Sequence, residues 1–162
     1  MTWQEKVAEA GKSFGHRNWI VVGDAAMPVS SSLGYEVVLA EEALPDVLAF
    51  VLKNLGSQVK PIAWLDAELE LVEESEAKGA AAVKKSIAEG LKDVETRTAP
   101  HDEILARLDQ TSRVFKVLMV KSTLQVPYTS VFLELDCGYW CADREAALRR
   151  RMAGRIGHHQ IV

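Results

Sequence analysis

His16 and Asp24 stand on either side of a short apolar run, Trp19–Val22, that is typical of a buried strand. Imidazole has a reference pKa of roughly 6.5, so His16 is a candidate acid–base group and Asp24 a candidate partner for it. The two residues lie about eight residues, or roughly 25 Å, apart along an extended chain, so one subunit cannot unite them unless the chain bends back. Two subunits could place His16 of one against Asp24 of another. The alternative interpretation is a helix-capping histidine and a turn aspartate.

The segment from Arg97 to His101 is a second place with reactive side chains. Pro100 is tolerated in the first turn of a helix, so His101 is expected at the start of one. The positive end of the helix dipole favours the neutral imidazole, which can accept or donate a proton near pH 7. The alternative is an exposed surface histidine with no chemical role.

The loop between the two strongest strand signals is the third place, and it contains Lys121, Ser122, Tyr128 and Ser130. Each hydroxyl group both donates and accepts hydrogen bonds, so this loop suits a ligand that carries several hydroxyls. An ordinary polar turn is the alternative. Asp66, Glu68 and Glu70 form an acidic alternation that could pair carboxylates for glycosidase-type chemistry. We expect a solvated face there instead.

A metal site is not expected. Cys137 and Cys141 form a single C-x3-C pair, which is a poor zinc signature without a second pair, and a reducing compartment disfavours a disulfide between them. His158 and His159 could complete a metal site in principle, but they lie in an expected C-terminal tail.

Strand and helix signals alternate along the chain, which predicts an α/β fold. The expected architecture is a single domain over residues 1–162, in three layers, with a central mixed or largely parallel sheet flanked by helices. Residues from about 153 to 162 are expected to form a flexible tail. Helices are predicted over 3–14, 44–55, 73–92, 100–108 and 143–152. Strands or extended pieces are predicted over 19–22, 35–39, 61–65, 94–98, 115–120 and 130–135.

Composition and motifs narrow the function. The formal net charge of -4 argues against a nucleic-acid partner, which needs a broadly basic face. No run reaches the roughly 18 apolar residues of a membrane span, and no signal peptide is evident, so we expect a cytoplasmic protein without a membrane partner. No phosphate-binding glycine loop, dinucleotide fingerprint or elbow-serine motif is present. We therefore expect the protein to use no cofactor.

Three segments resemble the ribose pyranase and fucose mutarotase family. GHRNWIVVGDAAMP, residues 15–28, is similar to the family segment in which Gly-His is followed by Asp-Ala and then Pro. VKSTLQVPYTSVFLEL, residues 120–135, is similar to its later basic-Ser/Thr segment with Pro-Tyr before a strand. Residues 97–101 match the pyranase pattern of Arg and His. The segments occur in the family's order, and the resemblance covers nearly the whole chain.

The resemblance implies a cofactor-free isomerase that interconverts ring forms or anomers of a free monosaccharide by acid–base catalysis. His16 would be the proton donor, with Asp24 and His101 contacting the sugar and Tyr128 and Ser130 lining the pocket. It also implies a homo-oligomer, a decameric ring with sites between subunits, which would unite His16 and Asp24.

Two departures from the family pattern stand in the later segment. Ser130 replaces the family's Asn, and Thr123-Leu124 replaces its Gly-Glu. Ser130 is shorter than Asn and lacks an amide, so the preferred sugar can differ. Arg97 and Lys121 are further candidate sugar contacts. The alternative function is a non-catalytic monosaccharide-binding or sensing protein on the same scaffold.

Overall fold

The computed structural model describes residues 1–160, with side chains as far as Arg155. It contains six strands and five α-helices within these residues. The strands are β1 (Trp19–Gly23), β2 (Tyr35–Leu39), β3 (Val59–Asp66), β4 (Glu95–Ala99), β5 (Val117–Lys121) and β6 (Val131–Cys137). The helices are α1 (Trp3–Ser13), α2 (Leu44–Asn54), α3 (Ala80–Gly90), α4 (His101–Ser112) and α5 (Ala142–Gln160), and a 3₁₀ helix spans Ala67–Leu71.

All six strands form one mixed sheet in the order β2-β5-β1-β6-β3-β4. Strand β6 runs antiparallel to both of its neighbours, β1 and β3, whereas the other pairs are parallel. The predicted single α/β domain with a mixed sheet is confirmed. Because β1, β3, β4 and β5 point the same way, their carboxyl ends meet at one edge, where sheets of this kind usually carry their sites.

Helices cover both faces of the sheet, which makes the predicted three layers. Alternate residues of β1 show the division: Ile20 and Val22 join a core cluster with α1, α2 and α3, while Trp19 and Val21 join a second cluster with α4. All five β1 residues are buried, as expected for a strand covered on both faces. The apolar run Trp19–Val22 therefore lies at the centre of the fold.

The predicted helix over 73–92 is wrong in its first part, because α3 begins only at Ala80. Gly79 has a left-handed φ of 92°, and the Glu74 carboxylate accepts hydrogen bonds from the N–H groups of Gly79 and Ala81. This carboxylate holds residues 73–79 in a turn. Val83 and Ile87 on the inner face of α3 are buried in the core, whereas most of its other residues are exposed.

The C-terminal helix is longer than predicted. It extends beyond the predicted end at Met152, to Gln160, so the expected tail over 153–162 is helical as far as Gln160. Residues 161 and 162 lie outside the described part of the chain. Across residues 1–160, no helix is both long and apolar enough to cross a membrane.

Candidate active site

The carboxyl edge of the sheet brings together five of the predicted site residues. Gly23 at the end of β1 pairs with Lys121 at the end of β5, and Asp66 at the end of β3 pairs with Ala99 at the end of β4. Between them, β6 starts at Val131, which pairs with Val22 on one side and Leu65 on the other. At this edge Asp24 follows β1, Lys121 ends β5, and His101 lies two residues after β4. Ser130 comes directly before β6, and Tyr128 lies in the same loop.

Asp24 is held at this edge by Ser130. The Ser130 hydroxyl accepts a hydrogen bond from the Asp24 N–H at 3.0 Å and donates to the Asp24 carboxylate at 2.6 Å. Ser130 is buried, so its hydroxyl is used to orient Asp24 rather than to line an open pocket. The second Asp24 oxygen accepts the Ala26 N–H at 3.3 Å. Asp24 is thus a fixed, partly exposed carboxylate.

His101 pairs with Asp66, a residue that the sequence analysis assigned to a solvated face. Its Nδ1 lies 2.9 Å from Oδ2 of Asp66, whose side chain is 0% exposed, whereas the His101 side chain is 25% exposed. The expectation that Asp66 belongs to a solvated face is wrong, because Asp66 ends a strand covered on both faces. The same strand-end rule that selected Asp24 would have found it.

The other Asp66 oxygen, Oδ1, is buried and has no hydrogen-bond partner among the described residues. The pKa of the Asp66 carboxyl is raised to about 6, mainly by burial and to a smaller extent by the negative charges of Glu68 and Asp24. The hydrogen bond from His101 and its charge act in the opposite direction. Asp66 therefore changes charge close to neutral pH.

This raised pKa predicts a pH-dependent stability. The folded state binds a proton on Asp66 that the unfolded chain has lost between pH 4 and pH 6, so stability is highest below this window and falls as pH rises through it. The Asp66 contribution is on the order of 1–3 kcal/mol, at about 1.4 kcal/mol per pKa unit. The Asp66→Asn protein should lose this pH-dependent contribution to stability. Urea unfolding at pH 4, 5, 6 and 7 tests this, with Asp109→Asn on the exposed surface of α4 as control for a lost charge. A wild-type-minus-variant difference that does not shrink with pH contradicts the expectation.

Glu68 and Tyr128 complete the surroundings of His101. Both Glu68 carboxylate oxygens accept the His101 N–H, at 3.0 and 3.1 Å, which caps α4 where Pro100 has no side-chain hydrogen bond to offer. The Tyr128 ring lies edge-to-face on the His101 ring at 5.5 Å. Tyr128 adopts a left-handed φ of 62°, a backbone strain that costs on the order of 1–3 kcal/mol and is often found at functional sites.

His16 lies at the opposite edge of the sheet, as its position before β1 predicts. Its Nδ1 is 3.1 Å from Oδ1 of Asp136, which lies near the end of β6. Side-chain exposures of 57% and 48% leave this pair open to a partner. Asp136 is a functional candidate that the sequence reasoning missed, although its position near the end of a predicted strand was a signal. Asp136, rather than Asp24, orients His16 within one chain.

A cavity of about 620 Å³ adjoins His16, and it is lined in part by Asp136, Tyr139, Trp140 and Arg149. Arg97 belongs to this end as well, because it shares a second cavity of about 240 Å³ with His16. Its guanidinium is 2.7 Å from the Glu95 carboxylate and stacks over Trp64 at 5.7 Å. The predicted residues therefore divide into two sets: Asp24, His101, Lys121, Tyr128 and Ser130 at the carboxyl edge, and His16 and Arg97 at the other.

Both cysteines carry free thiols, with Cys137 half-buried and Cys141 exposed. Within the described residues, no group of three or more His, Cys, Asp or Glu side chains could hold a metal ion. His158 and His159, the other metal candidates, lie outside the residues whose side chains are described.

The chain is similar to curated D-ribose pyranases. It is 33% identical to the one of Lactobacillus gasseri over 123 residues, 74% of this chain and 82% of that protein. It is 28% identical to that of Limosilactobacillus reuteri over 132 residues, 80% of this chain and 89% of that protein. No family model matches the chain.

Solved structures share the fold. Bacillus subtilis RbsD complexed with D-ribose matches with a TM-score of 0.58 and 17% identity, over 81% of this chain and 91% of that chain. The fucose mutarotase of Streptococcus pneumoniae in complex with L-fucose matches with a TM-score of 0.50 and 14% identity, over 79% of this chain and 89% of that chain. The mixed sheet places the chain among α/β proteins with the same fold as these two structures. More narrowly, the chain belongs to the D-ribose pyranase family, as its sequence segments predicted.

Proposed function

We propose that the protein binds a free monosaccharide and interconverts its ring forms or anomers by acid–base catalysis. The observation that carries this proposal is the cluster of Asp24, Ser130, His101 and Asp66 at the carboxyl edge of a D-ribose pyranase family fold. It works without a cofactor, in the cytoplasm, as a homo-oligomer that we expect to be a decameric ring.

The carboxyl-edge cluster suits a sugar because it offers several kinds of polar group within one small area. The Asp24 carboxylate accepts hydrogen bonds from sugar hydroxyls, and the partly exposed His101 ring can donate or accept. Lys121 and the Tyr128 hydroxyl complete the contacts from β5 and the following loop. Ser130 contributes by fixing Asp24, which is how a residue with no amide can serve at this position.

The site is built between chains in this proposal. The His16–Asp136 pair and Asp24 lie at opposite edges of one sheet, so His16 of one subunit must meet the carboxyl-edge cluster of a neighbour. The open cavity beside His16 is consistent with a partner there. Arg97 would contact the sugar from the same side as His16.

The reaction needs only proton transfers. Ring opening removes a proton from the anomeric hydroxyl and delivers one to the ring oxygen, and the open aldehyde then closes on its other face or through a different hydroxyl. His16, oriented by Asp136, is placed to donate one of these protons. A positioned acid–base group contributes about 10²–10⁴ in rate.

Sugar binding and exchange can be measured together by NMR saturation transfer on a panel of free sugars that includes D-ribose and L-fucose. We expect the wild type to accelerate exchange of at least one sugar. Asp24→Asn should weaken binding on the order of tenfold or more, because hydrogen bonds to a charged group are worth about 1.5–3 kcal/mol. Asp109→Asn, on the exposed surface of α4, serves as the control. Binding with exchange no faster than in buffer would establish the sensing function instead.

A further inference from the structure

We propose that Asp66 is a positioning residue that holds His101 in the tautomer with its proton on Nδ1, which makes Nε2 of His101 the second proton-transfer atom of the site. This inference rests on the proposed function and extends it. It assigns one acid–base group to each edge of the sheet: His16 with Asp136, and His101 with Asp66.

The tautomer follows from the hydrogen bond. A carboxylate only accepts, so an ionised Asp66 at 2.9 Å requires the proton of the neutral imidazole to be on Nδ1. Nε2 is then an unprotonated acceptor, and the part of the chain that the structure describes offers it no hydrogen-bond partner. Since the His101 side chain is 25% exposed, Nε2 is the atom of the pair that a ligand can reach.

The ring has little freedom to take another orientation. Glu68 fixes the His101 backbone through both carboxylate oxygens. The Tyr128 ring packs edge-to-face at 5.5 Å and the Phe132 ring at 6.4 Å. Preorganisation of this kind is what a proton-transfer group needs, because the reacting atom must already lie in place when the substrate binds.

A stabilising role alone does not account for Asp66. A fully buried carboxylate with one oxygen unpartnered is costly, and removing its charge often stabilises a protein. Among the residues whose side chains are described, the carboxyl has a single hydrogen bond, to His101, to offset this cost. Orientation of the imidazole explains why a charge is held at this buried position.

The charged groups around the pair are Glu68 from the 3₁₀ helix, Asp24 after β1 and the positive end of the α4 dipole. The two carboxylates favour a proton on the pair, and the helix end disfavours it. Burial brings the pKa of Asp66 to about 6, so the pair can gain and lose a proton close to neutral pH. The exchange rate should therefore fall as pH drops below about 6, as protonation of the pair removes its base.

The step balances with two imidazoles. Nε2 of His101 takes the proton of the anomeric hydroxyl, the oxygen's electron pair forms the carbonyl, and the bond between the anomeric carbon and the ring oxygen breaks. The ring oxygen keeps that electron pair and takes a proton from the His16 imidazolium of the neighbouring subunit. Closure reverses these transfers, so each histidine returns to its starting state and no oxidant, metal or cofactor takes part.

The first experiment observes the tautomer directly by long-range ¹H–¹⁵N NMR of the ligand-free wild-type oligomer at pH 7.5. His101→Gln identifies the signals of His101. We expect the protonated nitrogen to be Nδ1. A His101 with its proton on Nε2 would falsify the role of Asp66, and the tautomer itself is observed in the wild-type protein, with the variant needed only to assign the signals.

The second experiment compares the sugar-exchange kinetics of Asp66→Asn with those of Asp109→Asn, which removes a carboxylate on the exposed surface of α4. Asp66→Asn should lower kcat about tenfold or more with a much smaller change in KM, and should abolish the rate change near pH 6. Asp66→Glu should restore part of the rate. Asp109→Asn should stay close to the wild-type rate and keep the rate change near pH 6.

An Asp66→Asn protein with the wild-type rate and pH profile overturns the inference even if the wild type accelerates exchange. A wild type that accelerates no exchange, yet holds His101 with its proton on Nδ1, overturns the proposed function and the proton-transfer role of Nε2 with it. The two failures are thus distinguished.

Discussion

His16→Ala should lower the acceleration of sugar ring exchange by on the order of 10²-fold or more, because one positioned acid–base group typically contributes that much. His16 is more than half exposed and its side chain contacts Asp136 at the surface, so its removal should leave the fold intact. Saturation-transfer NMR measures the exchange rate, and circular dichroism and thermal unfolding check the fold. Sugar affinity should change much less than the rate.

Asp136→Asn is the companion variant for this prediction. It keeps an oxygen that can accept from Nδ1 of His16 and from the Cys137 N–H, which Asp136 now accepts at 2.8 Å, but it removes the charge. We expect a loss smaller than that of His16→Ala. A His16→Ala protein with the wild-type exchange rate would remove His16 from the mechanism and leave proton transfer to the carboxyl-edge cluster.

Coexpression of His16→Ala and Asp24→Asn chains should recover activity that neither variant has alone. If each site takes His16 from one subunit and Asp24 from its neighbour, random mixed assembly gives about one site in four with both functional residues. The mixed protein should then reach about a quarter of the wild-type rate, which is at least a tenfold gain over His16→Ala if that variant loses about 10² in rate.

The matched control places both substitutions in one chain and coexpresses it with His16→Ala. That mixture contains no subunit with a functional His16, so it should stay inactive. Light scattering of the wild type at micromolar concentration tests the assembly itself. A monomer, or a mixture of the single variants that gains nothing, contradicts a site built between subunits.

Local patterns were enough to predict the layers of the fold. Trp19–Val22 predicted a buried strand because a continuous apolar run suits a strand covered on both faces, and β1 lies at the centre of the sheet. The 73–92 prediction failed because helix propensity does not register the Glu74 carboxylate, which accepts two backbone N–H groups and delays the helix to Ala80. Such side chain–backbone bonds compete with helix formation.

The sequence by itself determined which segments become strands, that His16 and Asp24 lie at opposite ends of one strand, and which family the chain belongs to. Only the tertiary structure decided which side chains contact one another in the site. Asp66 lies 35 residues before His101 along the chain, and Asp24 lies 106 residues from Ser130. Their contacts depend on the order and register of six strands, in which β6 is inserted antiparallel between β1 and β3. A one-residue slip in register reverses the direction of every side chain, and no local pattern specifies the register of distant strands.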